Sequence, residues 1–191
     1  MEANGLPSRT SILTAAARAL GSREPDPRVR NPDWIADRLI GPTELALIAD
    51  HRISKALGRD FQEAIHDPDI FGFAWLMLVR TRFIDELMER AVRGGATQLV
   101  ILGAGFDTRA HRFAELLKDA AVIEIDYATT QEYKKRRVEA ALGGAPPTSY
   151  MPRSISCVKI SARCCAVPDS SPDARPITFA KASACTSRKK G

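Results

Sequence analysis

The pattern of apolar positions divides residues 1–150 into a helical section and a section in which strands and helices alternate. Apolar residues recur at helical spacing from about residue 69 to residue 92, and Gly94-Gly95 is a typical end for this long helix. Four consecutive apolar residues, Leu99 to Leu102, then predict a short strand that is buried on both faces. Ala121–Asp126 predicts a second strand, and about Ala128–Leu142 predicts a helix. This order predicts right-handed crossovers and a parallel sheet.

Shorter helices are predicted before the long one. Their expected first turns lie at Thr10 or Ser11, at Asn31-Pro32, at Thr43-Glu44 and near Asp60. The third of these is expected to continue to Gly58. In the long helix, the segment from Phe71 to Leu78 is apolar nearly all round and is therefore predicted to be buried. Thr148 to Met151 is a candidate for the start of a third strand.

A glycine-rich turn follows the first strand. Gly103 and Gly105 permit a tight change of direction, and Asp107 is the predicted N-cap of a helix that continues through Leu116. A strand, a glycine turn and a helix N-terminus together place backbone N–H groups against an anionic or polar ligand. The same Gly-x-Gly also occurs as a structural turn without a ligand, so both interpretations stand at this point.

Asp126 ends the second predicted strand, 21 positions after Gly105. Doubly wound folds place a carboxylate there to accept hydrogen bonds from ribose hydroxyls. Glu124 lies on the same strand face and is the alternative ligand, in which case Asp126 would cap the following helix; the carboxylate that does not bind ribose could also pair with Lys134. Thr108 replaces the third glycine of a G-x-G-x-x-G pattern, which favours another adenosyl cofactor over NAD.

Two arginines, Arg80 and Arg82, lie in the otherwise apolar long helix. A buried arginine needs a partner. An anionic ligand near the glycine turn is one candidate, and Asp85 or Asp107 is the internal alternative.

Charge and cysteine content separate the last 41 residues from the rest. The net charge is +5, but residues 151–191 carry eight basic and two acidic side chains, whereas residues 1–150 carry 20 and 21. The body is therefore near neutral, which argues against a nucleic-acid partner. All four cysteines follow residue 150 without a zinc-binding spacing, so the cysteine-free body predicts a cytoplasmic protein. The longest apolar run, Ile70 to Val79, is too short to cross a membrane.

Five ordered segments resemble the bacterial branch of the leucine carboxyl methyltransferase family. They are Ser8–Ala19 (SRTSILTAAARA), Arg30–Pro42 (RNPDWIADRLIGP), Val79–Asp85 (VRTRFID), Leu102–Arg112 (LGAGFDTRAHR) and Glu124–Asp126 (EID). The resemblance extends from about residue 8 to residue 152 and rests on the ordered set rather than on any single segment.

This resemblance implies a class I methyltransferase that uses S-adenosyl-L-methionine. It implies that Gly103, Ala104 and Gly105 pass close to the methionine part of the cofactor, that Arg80 meets its carboxylate, and that Asp126 holds the ribose diol. Arg82, Asp107 and Arg109 match the family pattern as structural or orienting residues. The implied reaction is methyl transfer to an oxygen of a small-molecule or carboxylate-bearing acceptor, which depends mostly on positioning and on exclusion of water and needs no distinct catalytic base.

The resemblance ends after Pro152, where leucine disappears and cysteine, serine, proline and positive charge increase. We therefore expect an α/β fold in three parts: an N-terminal helical section (1–95), the first part of a doubly wound, Rossmann-like parallel sheet (96–152), and an aberrant, disordered tail (153–191). An out-of-frame tail, with the C-terminal half of the enzyme missing, is the leading hypothesis, and a genuine disordered tail is the alternative.

A missing half would affect the sheet. The far edge of the Leu99–Leu102 strand would be unpaired, which predicts aggregation, poor solubility and impaired turnover. Two other functions also stay open, an NAD-dependent oxidoreductase and a non-enzymatic remnant that binds an adenosyl cofactor at most.

Overall fold

The computed structural model describes residues 6–143, 153–156 and 176–180, which form an α/β fold. The helices in these residues are α1 Arg9–Ser22, α2 Trp34–Leu39, α3 Pro42–Leu47, α4 Arg52–Leu57, α5 Phe61–Ile65, α6 Pro68–Arg93, α7 Arg109–Arg112 and α8 Ala128–Leu142. The strands are β1 Gln98–Leu102, β2 Ala121–Asp126, β3 Arg153–Ser156 and β4 Pro176–Ala180.

Residues 1–95, the section expected to be helical, contain α1 to α6, and the alanine-rich α1 lies at the centre of their packing. The small side chains Ala15, Ala16, Ala17 and Ala19 are fully buried, so neighbouring helices approach α1 closely. α1 begins at Arg9, slightly before the predicted start. The predicted start of α2 at Asn31-Pro32 was wrong, since α2 begins at Trp34 after Asp33.

Side-chain caps explain several of these boundaries. The Asp33 carboxylate accepts a hydrogen bond from the backbone N–H of Ala36 and so starts α2. Asp60 accepts from the N–H of Gln62, which confirms the predicted start of α5. The single helix predicted up to Gly58 was wrong, because the chain turns after Leu47 and begins again at Arg52. The His51 ring accepts from the N–H of Ile53 at this second start.

The long helix α6 has the predicted length and ends at Gly94 as expected. The prediction that its first half is buried all round was wrong. One side of this half faces the core with Ile70, Ala74, Met77 and Leu78. The opposite side carries Phe71, Trp75, Leu76 and Val79, each of which is 39 to 60 % exposed. In the described part of the chain, no helix is both long and apolar enough to cross a membrane.

The four strands form one parallel sheet in the order β3-β2-β1-β4. In β1, Leu99 and Ile101 are buried and the other three residues are half-buried. The prediction that this strand is buried on both faces is therefore confirmed only in part. Leu99 is in register with Val122 of β2 on one side and with Ile177 of β4 on the other. Because all strands are parallel, the turn after β1 and the last residue of β2 lie at the same edge of the sheet.

The expectation of an unpaired far edge on β1 was wrong. β4 pairs with β1 over five positions, from Gln98 with Pro176 to Leu102 with Ala180. β3 pairs with β2, whereas the segment predicted for a third strand, residues 148–151, lies outside the described residues. Two short segments of the last 39 residues therefore belong to the sheet, and the out-of-frame origin of this part of the chain stays a hypothesis.

Two apolar cores meet at the glycine turn. Ala104 packs with Leu99 and Ile101 in the core beside the sheet. Phe106, two residues later and fully buried, packs instead in the core of the helical section with residues such as Ile12 and Val138. The turn after β1 therefore lies at the junction between the sheet and the helical section.

Candidate functional site

The turn after β1 depends on glycine at two positions. Gly103 has a φ of +60° and Gly105 a φ of +49°, in the left-handed region where a side chain costs about 1–2 kcal/mol. The N–H of Ala104 donates to the carbonyl of Ile125 in β2, at 3.1 Å. The N–H of Asp107 donates back to the carbonyl of Ala104, at 2.7 Å. The turn is therefore tight and is attached to the end of β2.

Asp126 lies beside this turn, as its position at the end of β2 predicts. Its Oδ2 accepts a hydrogen bond from the N–H of Gly105 at 2.5 Å, and its Oδ1 accepts from the N–H of Tyr127 at 2.7 Å. The residue is half-buried. A carboxylate offers about four lone-pair sites, so two acceptor positions on Asp126 stay available for a ligand.

Glu124, the alternative ligand, has a different partner. Its two oxygens accept from Nζ of Lys134 at 2.6 and 2.7 Å, and both side chains are 3 % exposed. The pairing with Lys134 that the sequence allowed for one of the two carboxylates is confirmed for Glu124. Asp126 is therefore the carboxylate of β2 that borders the turn.

The helix predicted after the turn is much shorter than expected. α7 has four residues and its N-cap is Thr108, so the predicted cap at Asp107 and the continuation through Leu116 were wrong. The Asp107 carboxylate instead accepts from the N–H and the guanidinium of Arg109, at 2.9 and 2.5 Å. The backbone N–H groups of Ala104, Gly105, Asp107 and Arg109 all have acceptors within the protein. These four groups are not free to bind an anion.

Behind the turn lies a buried group of three aspartates and three arginines that we call the ionic cluster: Arg18, Asp33, Asp85, Asp107, Arg109 and Arg112. Asp85 accepts from Nε of Arg109 at 2.7 Å and from both terminal nitrogens of Arg112 at 2.7 and 3.0 Å. Burial alone would lower the pKa of Arg109, but Asp107 and Asp85 raise it, so this guanidinium stays charged.

The other half of the ionic cluster connects the turn to the helical section. Nε of Arg18 donates to Oδ2 of Asp33 at 2.7 Å, and Nη2 of Arg18 donates to the carbonyl of Phe106 at 2.7 Å. Oδ1 of Asp33 accepts from the hydroxyl of Thr108 at 2.6 Å. The internal alternative for a buried arginine, Asp85 or Asp107, thus holds for Arg109 and Arg112 rather than for the arginines of α6.

The two arginines of α6 differ in their surroundings. Arg82 is half-buried and donates to the carbonyls of Pro27 and Arg30, both at 3.0 Å, which gives it a structural role. Arg80 is half-buried, and its guanidinium has no hydrogen-bond or ion-pair partner among the residues that the structure describes. It precedes Thr81, whose carbonyl accepts from Arg109 at 3.4 Å. Of the predicted site residues, the structure joins Gly105 to Asp126 directly and leaves Arg80 available.

Sequence reasoning did not assign a role to Arg18, Asp33 or Arg112. One signal was present, since Arg18 lies between Ala17 and Ala19 in an apolar helix and would be buried there. The choice of partners could not be read, because the bonded residues are up to 88 positions apart in the sequence.

His111, on α7, is a further buried group near the site. Burial, together with the charge of Lys134, lowers its pKa to about 4, although Asp107 acts in the opposite direction. Its Nδ1 is buried without a hydrogen-bond partner among the described residues. In the same part of the chain, no group of three or more histidine, cysteine or acidic side chains has an arrangement that could hold a metal ion.

Comparison with known proteins identifies the family that this chain resembles. The profile of the family described as "Leucine carboxyl methyltransferase" matches residues 11–166. A protein of Mycolicibacterium smegmatis is 36 % identical over 137 residues, which cover 72 % of this chain and 43 % of that protein. One of Mycobacteroides abscessus is 36 % identical over 137 residues (69 % and 41 %), and one of Bacillus subtilis is 32 % identical over 144 residues (70 % and 47 %).

All three carry the name "Putative S-adenosyl-L-methionine-dependent methyltransferase". The chain spans less than half the length of these curated relatives.

Proposed function

The chain belongs to the leucine carboxyl methyltransferase family, and from this premise we propose that it binds S-adenosyl-L-methionine at the glycine turn and Asp126. The observation that supports this most is the hydrogen bond from the Gly105 N–H to the Asp126 carboxylate. This bond holds the Asp126 carboxylate, a group that can accept hydrogen bonds from sugar hydroxyls, beside the turn that a ligand would approach. The residues present therefore fit an adenosyl cofactor.

Each side chain has a role in this proposal. Asp126 keeps two acceptor positions after its backbone hydrogen bonds, which suits the two hydroxyls of a ribose. Gly103, Ala104 and Gly105 would lie against the methionine part, where a larger side chain would prevent close approach. Arg80 would bind the methionine carboxylate, because its half-buried guanidinium has no partner in the described residues.

The same geometry argues against NAD. A dinucleotide needs free N–H groups at the turn for its pyrophosphate. Here the Gly105 N–H already donates to a carboxylate, whose negative charge would repel a pyrophosphate at that position. Thr108, in the place of the third glycine, is buried and bonded to Asp33.

The proposed reaction is methyl transfer to an oxygen of a small-molecule or carboxylate-bearing acceptor. When bound, S-adenosylmethionine would supply an electrophilic methyl group to the acceptor oxygen, and its sulfur would keep the electron pair of the broken carbon–sulfur bond. The contribution of this chain is to bind and orient the cofactor through Arg80, the turn and Asp126. The acceptor site and the whole enzyme's turnover stay proposals, because the curated relatives are more than twice as long as the matched region.

This proposal also includes a division of the chain at residues 95 and 152, impaired turnover and a cytoplasmic location. The Cys-free body supports a reducing compartment. The glycine turn, at the junction of the two cores, supports a boundary near β1.

Calorimetric titration of the full chain with S-adenosylmethionine and with NAD⁺ tests the proposal. We expect binding of the first and none of the second, and weaker binding to Arg80→Met, with Arg82→Met as a control on the same helix. Binding of NAD⁺ alone would favour an oxidoreductase. Binding of S-adenosylmethionine without methyl transfer to carboxylate or hydroxyl acceptors would favour a non-enzymatic remnant.

A further inference from the structure

We propose that Arg18, on α1, is a positioning residue for the cofactor turn, and that the helical section sets the shape of that turn through it. This inference rests on the proposed function for the identity of the cofactor. It does not rest on it for the shape of the turn, which is a property of the chain without ligand.

One guanidinium makes both relevant bonds. Arg18 donates from Nε to Asp33 at 2.7 Å and from Nη2 to the carbonyl of Phe106 at 2.7 Å. Its side chain is 8 % exposed, and Ala17 and Ala19 on either side are fully buried. The planar guanidinium is thus fixed by packing as well as by its two acceptors.

The segment held in this way follows the second glycine directly. Phe106 is bound through its carbonyl to Arg18, and Thr108 is bound through its hydroxyl to Asp33, the partner of Arg18. Both ends of residues 106–108 are therefore attached to the helical section. The residue before them, Gly105, is attached to Asp126 on the sheet side.

A shift of Arg18 would consequently move the Phe106 carbonyl and the peptide unit next to Gly105. Because Gly105 and Asp126 share a hydrogen bond, the proposed ribose acceptor would also lose its alignment. Residues that hold a binding group from behind commonly matter nearly as much as the group itself. Among the described residues, Arg18 has no hydrogen bond or ion pair with the turn glycines or with Asp126, so its effect is transmitted through Phe106.

The variant Arg18→Lys separates positioning from charge. Lysine keeps the positive charge beside Asp33, but its ammonium group lacks the planar fork that reaches a carboxylate and a carbonyl together. Arg23 provides a matched control on the same segment. It also bonds one carboxylate, Asp37 at 2.9 Å, and one carbonyl, that of Leu57 at 2.7 Å, but it lies away from the turn.

Amide hydrogen exchange of the full chain without ligand, read by mass spectrometry, measures the turn directly. In Arg18→Lys we expect exchange of the amides in residues 104–109 to be at least about tenfold faster, with α8 amides as the internal reference, because a charged hydrogen bond is lost. Arg23→Lys should leave turn exchange unchanged. Unchanged turn exchange in Arg18→Lys, or equal acceleration in the turn and in α8, would overturn the inference.

If Arg18→Lys does not fold, Thr108→Val tests the second attachment of the turn, because it removes the hydroxyl that donates to Asp33 and accepts from Nε of Arg112 at 3.0 Å. Faster exchange confined to residues 104–109 would support the attachment to the helical section, and unchanged exchange would refute it.

A separate measurement of S-adenosylmethionine binding, made at a temperature at which each variant is folded, distinguishes this inference from the proposed function. We expect a dissociation constant about tenfold higher in Arg18→Lys and unchanged in Arg23→Lys. A full chain that does not bind S-adenosylmethionine would refute the proposed function, whereas turn exchange would still decide the role of Arg18.

Discussion

Asp85→Asn removes the central acceptor of the ionic cluster. Asp85 is 5 % exposed and accepts three hydrogen bonds from Arg109 and Arg112, at 2.7 to 3.0 Å. Asparagine has nearly the same shape, but it offers one acceptor oxygen and turns an amide NH₂ toward a guanidinium. The buried group would then hold three arginines and two aspartates, with one positive charge unpaired.

The expected loss of stability is about 3–5 kcal/mol, the range for breaking a buried ion pair by removing one partner. Against a typical total of about 5–15 kcal/mol, such a loss is large. Urea unfolding followed by circular dichroism measures it. With a slope of about 2 kcal/mol per molar urea, the midpoint should fall by about 1.5–2.5 M without a change in slope.

Asp37→Asn is the matched control. Asp37 pairs with Arg23 at 2.9 Å, but the two side chains are 39 % and 36 % exposed, so this loss should not exceed about 1 kcal/mol. An Asp85→Asn variant as stable as Asp37→Asn would refute the conclusion that the ionic cluster stabilises the junction behind the turn.

Three further predictions concern residues around the turn. The pKa of His111 is about 4 in the folded chain and about 6.5 in the unfolded chain, so between these pH values only the unfolded chain is protonated, and the free energy of unfolding falls by about 3 kcal/mol as pH drops from 6.5 to 4. His111→Gln should flatten this pH dependence of urea unfolding, whereas His66→Gln should not. Gly105→Val forces a branched residue to a φ of +49°, which should cost about 1–3 kcal/mol and abolish cofactor binding; a variant that still binds tightly in calorimetry would mean that the turn is only structural. Lys134→Met leaves the buried Glu124 carboxylate unpaired and should lower the unfolding free energy by about 3–5 kcal/mol, and recovery by Glu124→Leu in the same chain would identify the unpaired charge as the cause.

Local patterns predicted much of this architecture and part of the site. Gly94 ends α6 and Gly143 ends α8, because glycine after an amphipathic run is a reliable helix stop. The period of two along β2 placed Glu124 and Asp126 on one face, and the proximity of Asp126 to the turn followed from the parallel order.

Predictions failed where long-range contacts decide the outcome. The first half of α6 is apolar on both sides, so its sequence does not indicate which side packs against the core. The side with Trp75 and Val79 is exposed. Aspartate is a preferred N-cap residue, but the Asp107 carboxylate accepts a hydrogen bond from the Arg109 guanidinium, and Thr108 is the N-cap of α7. The pairing of β4 with β1 could not be expected from a short Pro-Ile-Thr-Phe segment, since a strand's partner depends on the rest of the sheet.

The ionic cluster shows why the ordered segments were more informative than any one of them. Arg18, Asp33 and Asp85 each come from a different segment of the family resemblance, and a fourth segment supplies Arg109 and its neighbours. Physically, these segments need one another because each supplies a charge that would otherwise be buried without a partner. Spacing along the sequence contains no information about that convergence.

Binding of S-adenosylmethionine to the full chain and to its Asp126→Asn variant, measured by isothermal titration calorimetry, tests the assignment of this site most directly. Asparagine keeps one acceptor oxygen beside the turn. It removes the negative charge and the second carboxylate oxygen, which would accept hydrogen bonds from the ribose hydroxyls. We expect the wild-type chain to bind and the variant to bind about 10- to 150-fold more weakly, equivalent to about 1.5–3 kcal/mol. Asp60→Asn, which removes the same charge from an exposed helix cap, should bind like the wild type. No binding by the wild-type chain, or equal affinity of wild type and Asp126→Asn, would contradict the assignment.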